Sequence, residues 1–391
     1  MRVTRAARGI AIATGTALAL VGLTACSGSS PDESSSTAVP ESLWDSAVVH
    51  TISLSISPDD SDAVIAAYRD NGTKTSARAS VTVDGESLDD VGVSIAGDVE
   101  LDPDSTETDL SALPWLIRLD EFVEGQNIEG DTELLLSANP SATALNESVA
   151  LDLQGVTGLA TQSAIWTRFT VNGGAPKLRL VVENIGESWI SDQFDSADSL
   201  FVPRADGDYS YRGDKADSYE DVFDEVVGDA GTSRLAKFLE FVDESSDAAF
   251  AKKLNNWLDL DSFAAYLAFQ QLVTEQGGPS ARTALEFSSS SKLMTIVAWD
   301  FSEAFTSDAT GTDGPVPTNL TERFLAVPDF AEIYDQALID VSSTLYDTGT
   351  AESFLDDRTA TLKKQASDLV SKAEINRESK SLEKKILART P

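Results

Sequence analysis

Residues 164–183 read AIWTRFTVNGGAPKLRLVVE. The run 164–171 is dense in β-branched and aromatic residues, Asn172-Gly173-Gly174 is a turn signal, and 178–183 is a second apolar run. This predicts a β-hairpin, and the chain on its two sides differs in period. Upstream, VVHTISLSI over 48–56 alternates as a half-buried strand does. Strands are expected at 80–83 and 91–95, flanking Asp84-Gly85 with a loop longer than two residues, and again at 115–119 and 134–136. A helix is expected over 142–154, closed by Gly155. Downstream of Ser218 helical spacing takes over, with helices at 219–227, 233–242, 248–258 and 262–274. Asp247 and Asp261 stand where N-caps or first-turn acids belong. Strands return at 283–287 and 294–299, linked by a turn at 288–291, and helices follow at 320–326, 330–345 and from 351 to about 387. The expectation is one α+β domain over 43–391, with strands in its N-terminal half, helices in its C-terminal half and a helical extension over 318–391.

Composition limits the chemistry. At 41% hydrophobic residues, the 391-residue chain can build a core. Its 29 Lys and Arg against 65 Asp and Glu give a formal charge of -36, which repels phosphate backbones and excludes nucleic acid as a partner. One His and one Cys exclude HExxH helices, multi-His metal centres, Cys-rich zinc sites and intramolecular disulfides. A Ser-His-Asp triad would need His50, which the pattern reads as a half-exposed strand residue. What survives is carboxylate chemistry: Mg²⁺-assisted phosphoryl transfer, a two-carboxylate glycosidase, or none. The 65 acids make some glycosidase-like pair inevitable, so that signal carries no specificity. Trp44, Trp115, Trp166, Trp189, Trp257 and Trp299 could stack on cell-wall sugars, although the apolar strings around most of them predict core positions.

The first residues address the chain. Arg2, Arg5 and Arg8 precede an uncharged apolar stretch over 9–23, too short for the ~18 to 20 residues of a spanning helix. Leu23-Thr24-Ala25-Cys26 then resembles a bacterial lipobox, and Cys26 is the chain's single cysteine. The resemblance implies a signal peptide over 1–25, cleavage before Cys26 and diacylglyceryl transfer to it. Losing three Arg and no acids takes the charge from -36 to -39. The Ser-, Pro- and acid-rich stretch that follows reads as a flexible tether, so 26–42 joins membrane and domain. The expected product is a monomer on the outer side of the cell membrane, with an extracytoplasmic protein or the cell wall as its partner.

Six strings in order resemble the CotH family of spore-coat-type kinases with a divergent kinase-like fold. Val91-Gly92-Val93 with Gly97 is similar to the family's VGVR-x-KG strand, and PWLIRLDEFVEGQNIEG over 114–130 to its strand followed by Gln-x-x-Gly. Val171-Asn172-Gly173 with Leu180-Val181-Val182-Glu183 resembles its VNG hairpin, and YRGDKADSY over 211–219 its Tyr-Gly-Asp loop. LDLDSF over 258–263 with Tyr266-Leu267-Ala268 resembles its helix start, and AWDFSEAF over 298–305 its WDLNeaF end.

The resemblance implies a kinase site using Mg²⁺ and ATP, and it also exposes departures. Ser94 and Ala96 stand where the family strand carries Arg and Lys, and Leu113 where a basic residue precedes the proline. Leu200-Phe201-Val202 replaces a Leu-Tyr-Lys string, with Arg204 shifted from the lysine. A gapless count puts Gly277 at the catalytic Asp and Arg282 at its partner Asn. The candidates left are Glu275 and Asp300 for catalysis, Glu183 and Arg282 for nucleotide binding, and Asp300 with Ser302 for the metal. Arg118, Arg168, Lys177, Arg179 and Arg282 are the cations that could replace those lost. A charge-assisted contact contributes ~1.5–3 kcal/mol, so three or four lost ones would weaken nucleotide binding by many powers of ten. The leading expectation is a lipid-anchored, catalytically degenerate kinase-like domain with a binding or scaffold role. The alternatives are an active atypical Ser/Thr kinase acting outside the cytoplasm with Mg-ATP, and a cell-wall carbohydrate-binding module.

Overall fold

The computed structural model describes residues 42–97, 101, 108–194, 199–204, 207–228, 231–274, 282–306 and 317–389. Strand β1 (Val49–Ile56) is followed by helix α1 (Pro58–Asn71), β2 (Ala77–Val83), β3 (Glu86–Ile95), β4 (Trp115–Arg118) and β5 (Glu133–Leu136). Helix α2 (Leu145–Thr157) precedes the hairpin β6 (Ala164–Val171) and β7 (Lys177–Glu183). Then come α3 (Glu187–Gln193), β8 (Ser199–Pro203), β9 (Phe223–Val227), α4 (Ser233–Glu244), α5 (Asp247–Lys253) and α6 (Leu260–Val273). The hairpin β10 (Arg282–Phe287) and β11 (Met294–Trp299) leads into α7 (Thr318–Ala326), α8 (Pro328–Ser342), α9 (Thr350–Gln365) and α10 (Lys372–Leu387).

The first seven strands close a barrel in the order β1-β2-β3-β4-β5-β7-β6, with β1 parallel to β6. Alternation sends Ile52, Leu54, Val81, Val93, Ile117, Leu134, Ile165 and Phe169 into its interior. The opposite face of β6 and β7, through Trp166, Leu180 and Val182, packs with α2 and the C-terminal helices in a second core. The other four strands form an antiparallel sheet, β11-β10-β8-β9. The mixed α+β architecture, strand-rich first and helix-rich later, is as the sequence pattern implies.

Several local expectations are corrected. The β2–β3 connection is the two-residue turn Asp84-Gly85, both at positive φ (48° and 95°), which matches the twist of a tight hairpin. Helix α2 runs three residues beyond the expected end and is closed by Gly158 at φ 87°, not by Gly155. Residues 223–227 form an edge strand rather than a helix, because Phe223 to Val227 pair with β8. The long C-terminal helix is two: Ser371 caps α10 by accepting from the Glu374 amide at 3.2 Å. Helices α1 and α3 and strand β8 were not expected. His50 is buried, not half-exposed; its Nδ1 lies 2.6 Å from Asp84 and its Nε2 3.2 Å from the Asp45 carbonyl, so both ring nitrogens have structural partners. Asp247 and Asp261 do lie in the first turns of α5 and α6, whose caps are Ser246 and Asp259.

Candidate functional site

At the end of β11 the chain turns sharply, and Asp300 adopts φ 58°, unusual for a residue with a Cβ. Its Oδ1 accepts from Ser302 Oγ at 2.7 Å and from the Ser302 amide at 3.3 Å, an Asx-type turn that orients the carboxylate. The β10–β11 register places Arg282 opposite Trp299, and Arg282 Nε reaches Asp300 Oδ2 at 3.3 Å. Three of the sequence candidates, Asp300, Ser302 and Arg282, therefore converge.

Helix α2 grips the same turn from the other side. Asn146 Nδ2 donates to the carbonyls of Ser302 (2.7 Å) and Ala304 (3.1 Å), and Gln154 Nε2 donates to Ala298 O at 3.1 Å. Glu147, wholly buried, accepts from Ser137 Oγ at 2.6 Å and Asn139 Nδ2 at 2.9 Å. Burial, and secondarily the charge of Asp300, push its carboxyl up to about 7. Glu147, Asn139 and Asn146 were not among the sequence candidates. For Asn146 and Glu147 the signal is polar residues opening an otherwise apolar helix, which marks a buried network only once the helix is docked; Asn139 lies in the loop before it.

Glu183 belongs elsewhere. Directly opposed strand residues share a face, and Val93, Ile117, Leu134 and Glu183 form one such row facing the barrel interior. Its carboxylate accepts from the Ser163 amide at 3.0 Å, and burial, with help from Asp131, pushes it up to about 7. It joins neither Asp300 nor Arg282 in a contact. The neighbouring row, on the outer face toward α2, reads Ser94, Leu116, Leu135, Val182 and Ala164, with no cation in it. Leu113 and Ala96 are buried. Glu275, Gly277 and Cys26 lie outside the described residues.

Every remaining cation named above has a structural partner. Arg118 Nε meets Glu133 at 3.1 Å, Arg168 forks onto Asp368 (2.5 and 2.8 Å), and Lys177 pairs with Asp109. Arg179 donates to the carbonyls of Ser111, Leu113 and Ser137 (2.6, 2.9 and 2.8 Å), and burial brings its guanidinium down to about 10. Among the described residues no group of three or more His, Cys, Asp or Glu is arranged to hold a metal ion. A cavity of about 300 Å³ lies away from Asp300, against β9, lined by Arg204, Phe223, Asp224, Glu225 and Thr232.

Three of the six tryptophans are core residues. Trp115, Trp166 and Trp189 are fully buried, with their indole N–H groups donating to Leu110 O, Thr143 O and Thr161 O. Trp44 donates to Asp131, and Trp257 is stacked on Phe241. The core positions expected from the apolar strings are found for Trp115, Trp166 and Trp189, which leaves these three unavailable for stacking on sugars.

No curated protein matches the chain. Among solved structures, the crystal structure of a Helicobacter pylori proinflammatory kinase, CtkA, is similar at 10% identity and a TM-score of 0.31, covering 65% of this chain and 86% of that one. The profile of the CotH kinase protein family matches residues 105–384. That span contains five of the six recognised strings and leaves the one over 91–97 outside. With most of its length, from before β4 into α10, matched in this way, the chain belongs to the CotH kinase family.

Proposed function

We propose that this is a lipid-anchored extracytoplasmic protein whose kinase-like domain has given up phosphoryl transfer for a binding or scaffold role. The observation that carries the reading is the Arg282–Asp300 pair. A magnesium–nucleotide site needs carboxylates turned to the metal and cations turned to the phosphates. Here the guanidinium meets the carboxylate that would hold the metal, so each satisfies the other. The cation-free row from Ser94 to Ala164 and the structural commitments of the other four cations point the same way. Among the described residues the donor set does not fit a magnesium–nucleotide pair, so no transfer step is derived. Membrane attachment rests on the lipobox ending at Cys26.

The test is transfer from γ-labelled ATP with Mg²⁺ or Mn²⁺, together with a thermal-shift titration of Mg-ATP. We expect no transfer and no shift, since a ligand that binds the native state must raise its melting temperature. Transfer that disappears in Asp300→Ala would overturn the proposal. It would favour the second reading, an atypical Ser/Thr kinase, for which the retained Asp300-Ser302 turn is the supporting feature.

A further inference from the structure

Two helix ends of the candidate site are tied to α10 or to the residues just beyond it. Ala144, at the N-cap of α2, makes no side-chain hydrogen bond to the helix, and alanine is among the poorest residues there. Local side chains serve this end, Ser141 Oγ accepting from the Ala144 amide at 2.7 Å and Thr143 Oγ1 from the Leu145 amide at 3.3 Å, and α10 anchors that lead-in: the Glu378 carboxylate takes the amides of Ala142 (3.2 Å) and Thr143 (3.1 Å) and the Thr143 hydroxyl. A negative charge is favoured at a helix N-terminus. Helix α6 ends at Thr274 in extended backbone, without a glycine cap. Its terminal carbonyls are taken by a cation just beyond α10: Arg389 Nε donates to Leu272 O at 2.5 Å and its Nη2 to Thr274 O. Between the two, Lys385 Nζ donates to Phe305 O, and the Phe305 amide donates to Val273 O at 2.9 Å, closing the turn that begins at Asp300. Lys385 and Arg389 follow Glu378 by seven and eleven residues, close to two and three helical turns, so the three side chains share one face.

We infer that α10 is the positioning element of this site, and that Glu378, Lys385 and Arg389 are its positioning residues. One rigid helix fixes the start of α2, which carries Asn146 and Glu147, the turn carrying Asp300, and the point where α6 hands over to 275–281. The inference is independent of whether the site transfers phosphate. It makes the helical extension part of the site's construction rather than an appendage.

Hydrogen–deuterium exchange on the full mature chain tests it. The Lys385→Ala, Arg389→Ala double variant is expected to raise exchange at 271–274 and 300–306 by about tenfold or more, the equivalent of one lost charge-assisted hydrogen bond. It should also raise exchange at 145–150, which neither altered side chain touches, while amides of β1 to β3 keep wild-type protection. Glu378→Gln, nearly isosteric, guards against a variant that fails to fold; it should loosen 142–148 less than Glu378→Ala does, and both should reach 300–306. Increases confined to the segment each altered side chain touches would overturn the inference. So would a uniform increase that includes the barrel, the mark of a general loss of stability.

Discussion

Replacing Glu147 by Gln should stabilise the protein at high pH and leave it nearly unchanged at low pH. In the native state this carboxyl is pushed from 4.5 up to about 7, first by burial and then by Asp300. Between those values the unfolded chain has released the proton that the folded chain still holds. The native state binds more protons there, so the Glu147 contribution to stability falls as pH rises from 4.5 to about 7 and is flat beyond. At 1.36 kcal/mol per pH unit, a carboxyl raised from 4.5 to about 7 costs about 3 kcal/mol at pH 8. Gln keeps an oxygen to accept from Ser137 and Asn139 but adds an N–H₂ group that needs an acceptor, so the realised gain is roughly 1–3 kcal/mol. Urea unfolding of wild type and Glu147→Gln at pH 4.5 and pH 8 measures it. Glu183, also pushed up to about 7, is present in both proteins and cancels from the difference. The reasoning is refuted if the difference is the same at both pH values, or if wild type is the more stable at pH 8. Because burial is the first cause, Asp300→Asn should preserve the larger share of the effect.

Three further outcomes are expected. Arg282→Asn replaces the guanidinium at Asp300 with an amide oxygen, so Mn²⁺ should bind weakly, with a millimolar-range Kd read from the loss of the free-ion EPR signal; an unchanged signal contradicts the metal-mimic reading of Arg282. Arg358→Ala removes the buried partner of Asp152, whose oxygens lie 2.7 Å from both Arg358 Nε and Nη2, and should cost about 3–5 kcal/mol in urea unfolding. Mass spectrometry of the wild-type protein should find residues 1–25 absent and a diacylglyceryl group on the Cys26 sulfur, and Cys26→Ser should lose that group; a wild-type protein without the added mass would count against lipidation.

What the sequence made legible was whatever local chemistry encodes. The hairpin over 164–183 was readable because Asn172 and Gly173 both adopt positive φ, a backbone that asparagine tolerates and that glycine, lacking a Cβ, adopts freely. Helix α1 was equally encoded, by the Ser57 cap, Pro58, two first-turn acids and Gly72, and went unread because its apolar face is narrow. Asp300 was visible through the Trp299-Asp300 string, but its pairing with Arg282 depends on the β10–β11 register. Glu183 misled because a strand's two faces look alike until its neighbours are known, and it faces the barrel interior. Glu147 was invisible for a related reason. Nothing local distinguishes it from a solvated first-turn acid; its burial is created by β5, the Asn139 loop and the turn after β11.

The anchor that α10 provides for the lead-in to α2 also sets an order of events. The Glu378 and Thr143 partners are separated by 235 positions, and the Arg389 and Leu272 partners by 117. Until α10 is in place the lead-in to α2 is unanchored and the exit of α6 untied, so the native arrangement waits on contacts between distant parts of the chain. Closing so long a loop must precede the contacts that reward it, which slows acquisition of the final structure. Were the chain exported as proposed, that delay would keep the polypeptide threadable until it had crossed the membrane.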